Sequence, residues 1–273
     1  MELHRINGSG IAIDARGQGD PVLFIHGALG QIEVWAEPME ALSATRRVIA
    51  YDLRGHGKSS SPATPDCDVH VGDAAAVLID KAGDTPATVV GWSNGASIAL
   101  ALALEHPALV QGLVLIEPPF HWLRPPSVGL LKALVGVRLQ LLRGRDRVAA
   151  EKFMRWIMAR SSGGTSWDEA PEAVRKLMLS DVEAWKAEAR PHRRDMFLTH
   201  ISNRAIGTCS VPITYLLGDD SIPLFHRAHN TLVEALPSIR TIRVPGATHM
   251  LPFQAPKAIV EAVLARDGAD WCK

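Results

Sequence analysis

The stretch Thr88-Val89-Val90-Gly91-Trp92-Ser93-Asn94-Gly95-Ala96-Ser97-Ile98-Ala99-Leu100 decides the fold of this chain. A short apolar run ends at Gly91, and an Ala/Leu-rich helical pattern follows Gly95 to about Glu105. The sequence therefore predicts a strand, a sharp turn with Ser93 at its tip, and a helix. The serine backbone in such a turn is strained and needs small neighbours, which the two glycines supply. The free N–H groups at the start of the helix would point at the serine oxygen, as expected for a nucleophile.

Composition and charge narrow the class of protein. The 273 residues are 47% apolar and 21% charged, and the 29 basic and 29 acidic residues cancel. Zero net charge argues for neither nucleic acid nor an anionic membrane as a partner, so we expect a small-molecule substrate only. No apolar run has the length of a membrane span, and the first residues lack the apolar core of a signal peptide. Three scattered cysteines indicate a reducing compartment, and we expect a cytoplasmic location.

Strands and helices alternate on both sides of the opening stretch. Strands are predicted at 10–14, 21–25, 47–51 and 111–116, with helices at 31–42 and 73–82 between them. Residues 211–217 and 241–244 read as later strands, and 224–235 and 256–265 as later helices. This alternation predicts an α/β fold with a doubly wound, mostly parallel sheet. Gly57-Lys58-Ser59 is not a phosphate-binding loop, because that motif needs a glycine where Asp52 stands.

The alternation breaks between 120 and 207. Helical periodicity covers 127–142, 145–160, 172–179 and 181–200. We therefore predict a helical cap at 120–207, inserted into a core formed by 1–119 and 208–273. The cap is rich in Trp and Met, residues that suit a pocket for an apolar substrate, although most of them are expected to pack the helices together.

A serine nucleophile needs a base to take its proton and an acid to orient that base. His249 follows the last predicted strand and is the candidate base for Ser93. No metal is expected, because the sequence has neither a Cys-x-x-Cys nor a His-Glu-x-x-His motif. No organic cofactor is required either.

Four motifs in order identify a family resemblance. They are His26-Gly27 after a strand, the run from Asp52 to Ser59, Gly91-Trp92-Ser93-Asn94-Gly95, and Pro245-Gly246-Ala247-Thr248-His249. In these the chain resembles the α/β-hydrolase superfamily over nearly its whole length. The resemblance implies that the backbone N–H groups of Ala28 and Asn94 form the oxyanion hole.

The resemblance leaves the triad acid open. In most of the superfamily it follows the strand ending at Leu217, but the equivalent position here is Ser221, and Asp219 and Asp220 come slightly early. A second placement in the superfamily, after the strand that follows the nucleophile helix, is occupied by Glu117. A buried carboxylate there is costly without a partner, and His249 would be that partner. We therefore prefer Glu117 to Asp220.

We expect Ser93 to cleave an ester or lactone of a small, largely apolar substrate through an acyl-enzyme, and a serine rather than an aspartate at this position argues against chemistry with a carboxylate nucleophile. The downstream Glu is similar to that of the lactone hydrolases that open zearalenone-type rings, in which a cap tryptophan contacts the lactone. Trp185 could match it, and Leu29 and Trp92 are further candidates for the substrate pocket. The alternatives are C–C bond hydrolysis, acyl transfer or perhydrolysis on the same triad, or a weakly catalytic ligand-binding protein.

Overall fold

The core of the protein is an eight-stranded sheet with the order β1-β2-β4-β3-β5-β6-β7-β8. The computed structural model describes residues 1–60, 66–119, 128–188 and 201–265. Strands β3 to β8 run parallel, and β1 and β2 form an antiparallel hairpin at one edge, as the doubly wound, mostly parallel prediction requires. The strands are β1 Glu2–Ile6, β2 Ser9–Arg16, β3 Pro21–Ile25, β4 Arg47–Tyr51, β5 Ala87–Trp92, β6 Val110–Ile116, β7 Ile213–Gly218 and β8 Arg240–Val244.

Strand β1 is absent from the sequence-based prediction. Most of its residues are exposed, because it pairs only with β2 at the sheet edge, and it therefore has no apolar face to produce a pattern. The turn after it does carry a signal. Asn7 and Gly8 both have positive φ, 44° and 78°, and Asn-Gly is the dipeptide that favours tight hairpin turns.

Helices flank the sheet as predicted, with shifted ends, except that the short helix at Leu251–Gln254 is not among the predicted ones. They are α1 Ala36–Ser43, α2 Cys67–Ala82, α3 Asn94–Glu105, α10 Pro223–Ala235, α11 Leu251–Gln254 and α12 Pro256–Leu264. Helix α2 begins at Cys67 rather than Asp73 because the carboxylate of Asp66 accepts the Val69 N–H at 3.1 Å and caps it. The predicted helix over 31–42 is wrong in its first turn, where Ile32–Trp35 forms a 3₁₀ turn that leads into α1.

The described residues between β6 and β7 form six helices, which we call the inserted helices. They are α4 Val128–Leu142, α5 Asp146–Ile157, α6 Ser166–Glu169, α7 Glu172–Leu179, α8 Val182–Glu188 and α9 Asn203–Gly207. The helix predicted over 145–160 ends at Ile157, and that over 181–200 is described only to Glu188. Residues 120–127 and 189–200 lie outside the described parts, so the boundaries of the cap stay a prediction. Nowhere in the described segments is a helix both long and apolar enough to cross a bilayer.

The parallel register brings the ends of several strands to one edge of the sheet. Trp92 pairs with Ile116, and Ile25 pairs with Gly91, so the residues that follow β3, β5 and β6 emerge at the same level. The strand order reverses at β3, which lies between β4 and β5. Ligands of open α/β sheets bind in the crevice outside such a reversal, at the carboxyl ends of the strands.

Candidate active site

Ser93 lies at the tip of the turn between β5 and α3. Its φ of 54° and ψ of −122° are strained for a residue with a side chain. The turn is held because the Ser93 N–H donates to the carbonyl oxygen of Ile116 at 2.9 Å. A methyl group on Gly91 would collide with the backbone of Gly95, and one on Gly95 would collide with the carbonyl of Ile25. Both glycines are therefore needed for the tight passage from strand to helix, as the sequence predicts.

The loop after β3 lies directly against the serine. A methyl group on Gly27 would come within 2.8 Å of the Ser93 Cβ. The Gly30 N–H donates to the Gly27 carbonyl at 3.0 Å, and Leu29 between them has a φ of 59°. Ala28 in this turn therefore directly follows the residue that lies against Ser93. The predicted oxyanion donor Ala28 and the first helical residue Asn94 are thus on the two backbone segments that contact Ser93.

His26 holds that loop in place. Its Nε2 accepts the Leu53 N–H at 2.9 Å, so the ring proton is on Nδ1 and donates to the Gly27 carbonyl at 2.8 Å. Complete burial, with His56 nearby, keeps the pKa of His26 well below its ordinary value. The neutral tautomer therefore persists near neutral pH and joins the β3 loop to the β4 loop.

Glu117 and His249 meet in the interior beside the elbow. Nδ1 of His249 lies 2.8 Å from Oε2 of Glu117, and the two side chains are 2% and 0% exposed. A carboxylate can only accept, so Nδ1 donates. The other carboxylate oxygen, Oε1, accepts the Gly218 N–H at 2.8 Å and the Ser221 hydroxyl at 2.5 Å. Three donors thus satisfy this buried carboxylate.

The imidazole of His249 is held by rings on two sides. Phe225 of α10 stacks on it with ring centroids 4.0 Å apart and planes 14° apart. Trp92 lies on another side at 5.6 Å, and its Nε1 donates to the His249 carbonyl at 2.9 Å. Since Trp92 directly precedes Ser93, this contact joins the histidine loop to the elbow.

The two aspartates after β7 are engaged elsewhere. Asp219 pairs with Arg243 at 2.6 Å. Asp220 accepts hydrogen bonds from the hydroxyls of Ser161 and Ser162 at 2.7 and 2.6 Å, and Arg160 lies 3.2 Å away. These donors hold the pKa of Asp220 well below its usual range. Asp220 thus ties the loop after α5 to the core, and the structure brings Glu117 to His249 instead.

Sequence reasoning missed two hydroxyls around this pair. At position 221 the sequence predicts only that a serine cannot be the acid, yet the Ser221 hydroxyl donates to Glu117. The hydroxyl of Thr248, next to His249, lies 2.6 Å from that of Ser166 in α6. The sequence signal for Ser221 was available: a small polar residue stands where most of the superfamily carries a carboxylate.

The predicted pocket residues are all buried. Leu29 is fully buried in the β3 loop, and Trp92 contacts His249 and Phe253. Trp185 of α8 is 5% exposed and packs against Phe153 of α5, with ring centroids 5.5 Å apart. Their roles toward a substrate stay predictions.

The inserted helices also contact the loops on the other side of the site. Gln31, just after the β3 turn, donates to the Ser180 hydroxyl at 2.5 Å. The carboxylate of Asp181 accepts the Gly57 N–H at 3.1 Å. Burial raises the pKa of Asp181 and lowers that of the neighbouring, fully buried His56. The segment between α7 and α8 is therefore fastened to the β3 and β4 loops.

Within the described ranges, no group of three or more His, Cys, Asp or Glu side chains is arranged to hold a metal ion. The arrangement that the structure does contain is a strained serine on a strand–helix turn, a backbone loop against it, and a buried His–Glu pair. These are the parts of a site for nucleophilic attack on a carbonyl.

The fold and this site define an α/β hydrolase. A family model for the alpha/beta hydrolase fold matches residues 20–256, and the chain belongs to that family. It is 28% identical over 249 residues to RutD of a Caulobacter species, named as a candidate carbamate hydrolase, covering 89% of this chain and 88% of that one. It is 43% identical over 105 residues to a 2-hydroxymuconate semialdehyde hydrolase of a Pseudomonas species, 37% of each chain.

Solved structures show the same fold. Est816, described as an N-acyl homoserine lactone degrading enzyme, superposes with a TM-score of 0.78 at 21% identity, covering 98% of this chain and 100% of that one. A carboxylesterase from Bacillus subtilis, naproxen esterase, superposes with a TM-score of 0.76 at 19% identity, covering 97% and 90% of the two chains.

Proposed function

We propose that this α/β hydrolase is a serine hydrolase that cleaves a carboxylic ester or lactone of a small, largely apolar substrate. The observation that carries the proposal is the buried hydrogen bond of 2.8 Å between His249 and Glu117 beside the strained Ser93. A buried carboxylate on Nδ1 leaves Nε2 of the imidazole as the basic nitrogen, which is the state a general base needs.

The proposed reaction has two halves. The Ser93 oxygen bonds to the carbonyl carbon while its proton passes to Nε2 of His249. The N–H groups of Ala28 and Asn94 stabilise the negative oxygen that develops, usually the largest contribution in such sites. The C–O bond to the leaving alcohol then breaks, and the alkoxide takes the proton from Nε2. Water, losing a proton to the same nitrogen, attacks the acyl carbon, and Ser93 leaves with its proton restored.

Glu117 orients the imidazole throughout this cycle. It accepts the Nδ1 proton in the resting state and stabilises the imidazolium that forms during attack. The donors on Oε1, Gly218 and Ser221, fix the carboxylate group without competing for Oε2. These contacts support Glu117 over Asp220 as the acid.

A fluorophosphonate probe tests the nucleophile. The native protein should be labelled on Ser93, and Ser93→Ala should not be labelled. Lack of labelling of the folded native protein, or equal labelling of the variant, would refute the hydrolase proposal and favour a ligand-binding role.

The assignment of the acid has its own test. Glu117→Ala should reduce kcat on a small ester by on the order of 10³–10⁴-fold, because the imidazole loses its orienting partner. Asp220→Ala should leave kcat within a few-fold, since its partners are Ser161, Ser162 and Arg160. The reverse ranking would contradict the assignment.

The second candidate is hydrolysis of a C–C bond by the same residues. It is supported by the 43% identity to a 2-hydroxymuconate semialdehyde hydrolase over 105 residues. Ester or lactone hydrolysis can be separated from C–C bond hydrolysis with a panel of substrates. The panel contains an ester, a lactone, a carbamate and a ring-cleavage C–C substrate, and mass spectrometry identifies the products. Turnover of the C–C substrate at a kcat/KM above that of every ester and lactone would favour the second candidate.

A further inference from the structure

The outer face of α4 exposes a row of large apolar side chains. Five are exposed: Leu131 by 50%, Leu134 by 37%, Val135 by 59%, Leu139 by 46% and Leu142 by 71%. Only six other large apolar side chains are exposed in the whole described chain, and they are spread over several elements. Single exposed apolar residues are normal, but five on one helix are a patch.

The five residues share one face because their spacing follows the helical repeat. They stand at i, i+3, i+4, i+8 and i+11, which places them within a single stripe of a helix with 3.6 residues per turn. The opposite face is also apolar: Leu130 and Val137 are buried there, where α4 packs against α5. Packing among the described residues therefore accounts for one face of α4 and leaves the other exposed.

The charged side chains that α4 and the turn after it contribute are all basic. Residues 128–145 contain Lys132, Arg138, Arg143 and Arg145 and no aspartate or glutamate. Among the described residues, no ion pair involves Lys132, Arg138 or Arg143. In an ideal helix Lys132 and Arg143 lie along one edge of the stripe and Arg138 lies within it, where its long stem can extend to bring the charge to the margin.

We propose that this face, which we call the α4 stripe, binds the surface of an anionic lipid bilayer. The apolar side chains would enter the boundary between headgroups and acyl chains, and the cations would contact the anionic headgroups, as amphipathic basic helices do. The proposal goes beyond the proposed hydrolysis and does not depend on it.

Charge decides between a lipid surface and a second copy of the chain. Pairing two α4 stripes would bring the cations of both copies together with no carboxylate on either helix to neutralise them. An anionic bilayer supplies the missing opposite charge. The zero net charge that argued for no membrane partner is a sum over the whole chain. Salt screens the field of a charge beyond about 10 Å, so a bilayer in contact with α4 responds to the cations of that helix and not to the sum.

Vesicle flotation tests the α4 stripe. The full chain is mixed with vesicles of phosphatidylcholine containing about one third phosphatidylglycerol, and with vesicles of phosphatidylcholine alone. We expect the native protein to float with the anionic vesicles. Partitioning should be on the order of tenfold weaker with the neutral vesicles, and likewise with the anionic vesicles in 0.5 M salt or for the double variant Lys132→Gln/Arg143→Gln.

A matched pair of variants locates the surface. Val135 and Ile79 are both exposed by 59%, the first on α4 and the second on α2. Val135→Glu should lose flotation, and Ile79→Glu should float as the native protein does, with unchanged circular dichroism for both. Absence of flotation with anionic vesicles, or equal loss in both variants, would overturn the proposal. A lipid-free dimer that Val135→Glu dissociates would also overturn it, because the stripe would then serve a second copy.

Discussion

Ser221 is the residue that best illustrates how Glu117, the proposed triad acid, is held in place. Most of the superfamily carries the triad carboxylate at this position, and here the side chain is a hydroxyl that donates to Oε1 of Glu117 at 2.5 Å. With the Gly218 N–H on the same oxygen, it orients the carboxylate so that Oε2 faces His249. Ser221 is therefore a positioning residue for the proposed triad, acting through Glu117.

Removing this hydroxyl should affect turnover more than binding. We expect Ser221→Ala to lower kcat by about tenfold with KM nearly unchanged, because one of two donors that fix Oε1 is lost while the pocket is not altered. The measurement is steady-state kinetics on a small ester. Ser97→Ala is the matched control, since the Ser97 hydroxyl is buried in α3 and has no hydrogen-bond partner among the described residues. Equal kcat for Ser221→Ala and the native protein would contradict a positioning role.

At this scale the sequence predicted the contact between Glu117 and His249 but not the other hydrogen bonds of that carboxylate. Ser93 and His249 follow from motifs, and the preference for Glu117 follows from the cost of an unpaired buried carboxylate. The donors on Glu117 could not be predicted, because they depend on a turn that brings Gly218 and Ser221 next to β6. That contact joins positions separated by 101 and 104 residues in the chain.

The passage from β5 to α3 is the element on which the site depends. At Gly95 the backbone of α3 approaches the carbonyl groups of Ile25 and His26 so closely that a Cβ would overlap both. The turn that carries Ser93 and the loop after β3 are thus in direct backbone contact, and any added atom must separate them.

Alanine substitutions at two helical glycines should have opposite effects on stability. Gly95→Ala should lower the free energy of unfolding by about 3 kcal/mol or more, because backbone atoms cannot move aside as a flexible side chain can. Gly72→Ala in α2 should raise it by about 0.5–1 kcal/mol, since among the described residues outside the helix backbone only the Asn7 side chain lies within 4 Å of the new methyl group. Urea denaturation measures both, and a Gly95→Ala protein as stable as the native one would contradict the predicted contact.

Elements with a buried face were predictable and the exposed or short ones were not. The buried strands β3 and β5 produce continuous apolar runs, whereas β1 at the edge produces none. The short helices α6, α9 and α11 are too brief to show a helical period. Their positions follow from capping and turn contacts, such as the Ser202 hydroxyl that accepts the Ala205 N–H at the start of α9.

The whole molecule should lose stability as the pH falls below neutrality. Burial lowers the pKa of His26 and of His56 below the ordinary value of 6.5. The unfolded chain takes up these protons at about pH 6.5 and the folded chain only at lower pH. The unfolded state therefore binds more protons in this window, and the free energy of unfolding decreases as the pH falls.

Urea denaturation between pH 7.5 and 6.0 should show this decrease, with a limiting slope of about 1.4 kcal/mol per pH unit for each histidine. Burial raises the pKa of Asp52 and of Asp181, the two carboxyls that face His56, so their effect on the free energy of unfolding is opposite in sign. That effect begins at the unfolded pKa of about 3.9 and ends at the raised pKa of the folded state. His56→Gln should have a shallower slope, whereas the exposed His106→Gln should keep the native slope. Identical slopes for all three proteins would contradict the prediction.

The contacts of Asp220 bear on how this enzyme could be re-engineered. The carboxylate of Asp220, in the loop after β7, accepts hydrogen bonds from Ser161 and Ser162 and pairs with Arg160. The proposed acid, Glu117, instead follows β6 and precedes the inserted helices. A chimera could therefore receive a different insertion without exchanging any member of the proposed triad. The grafted segment would need two hydroxyl groups in place of those of Ser161 and Ser162. Asp220 would then be the point at which each exchanged insertion attaches to the core.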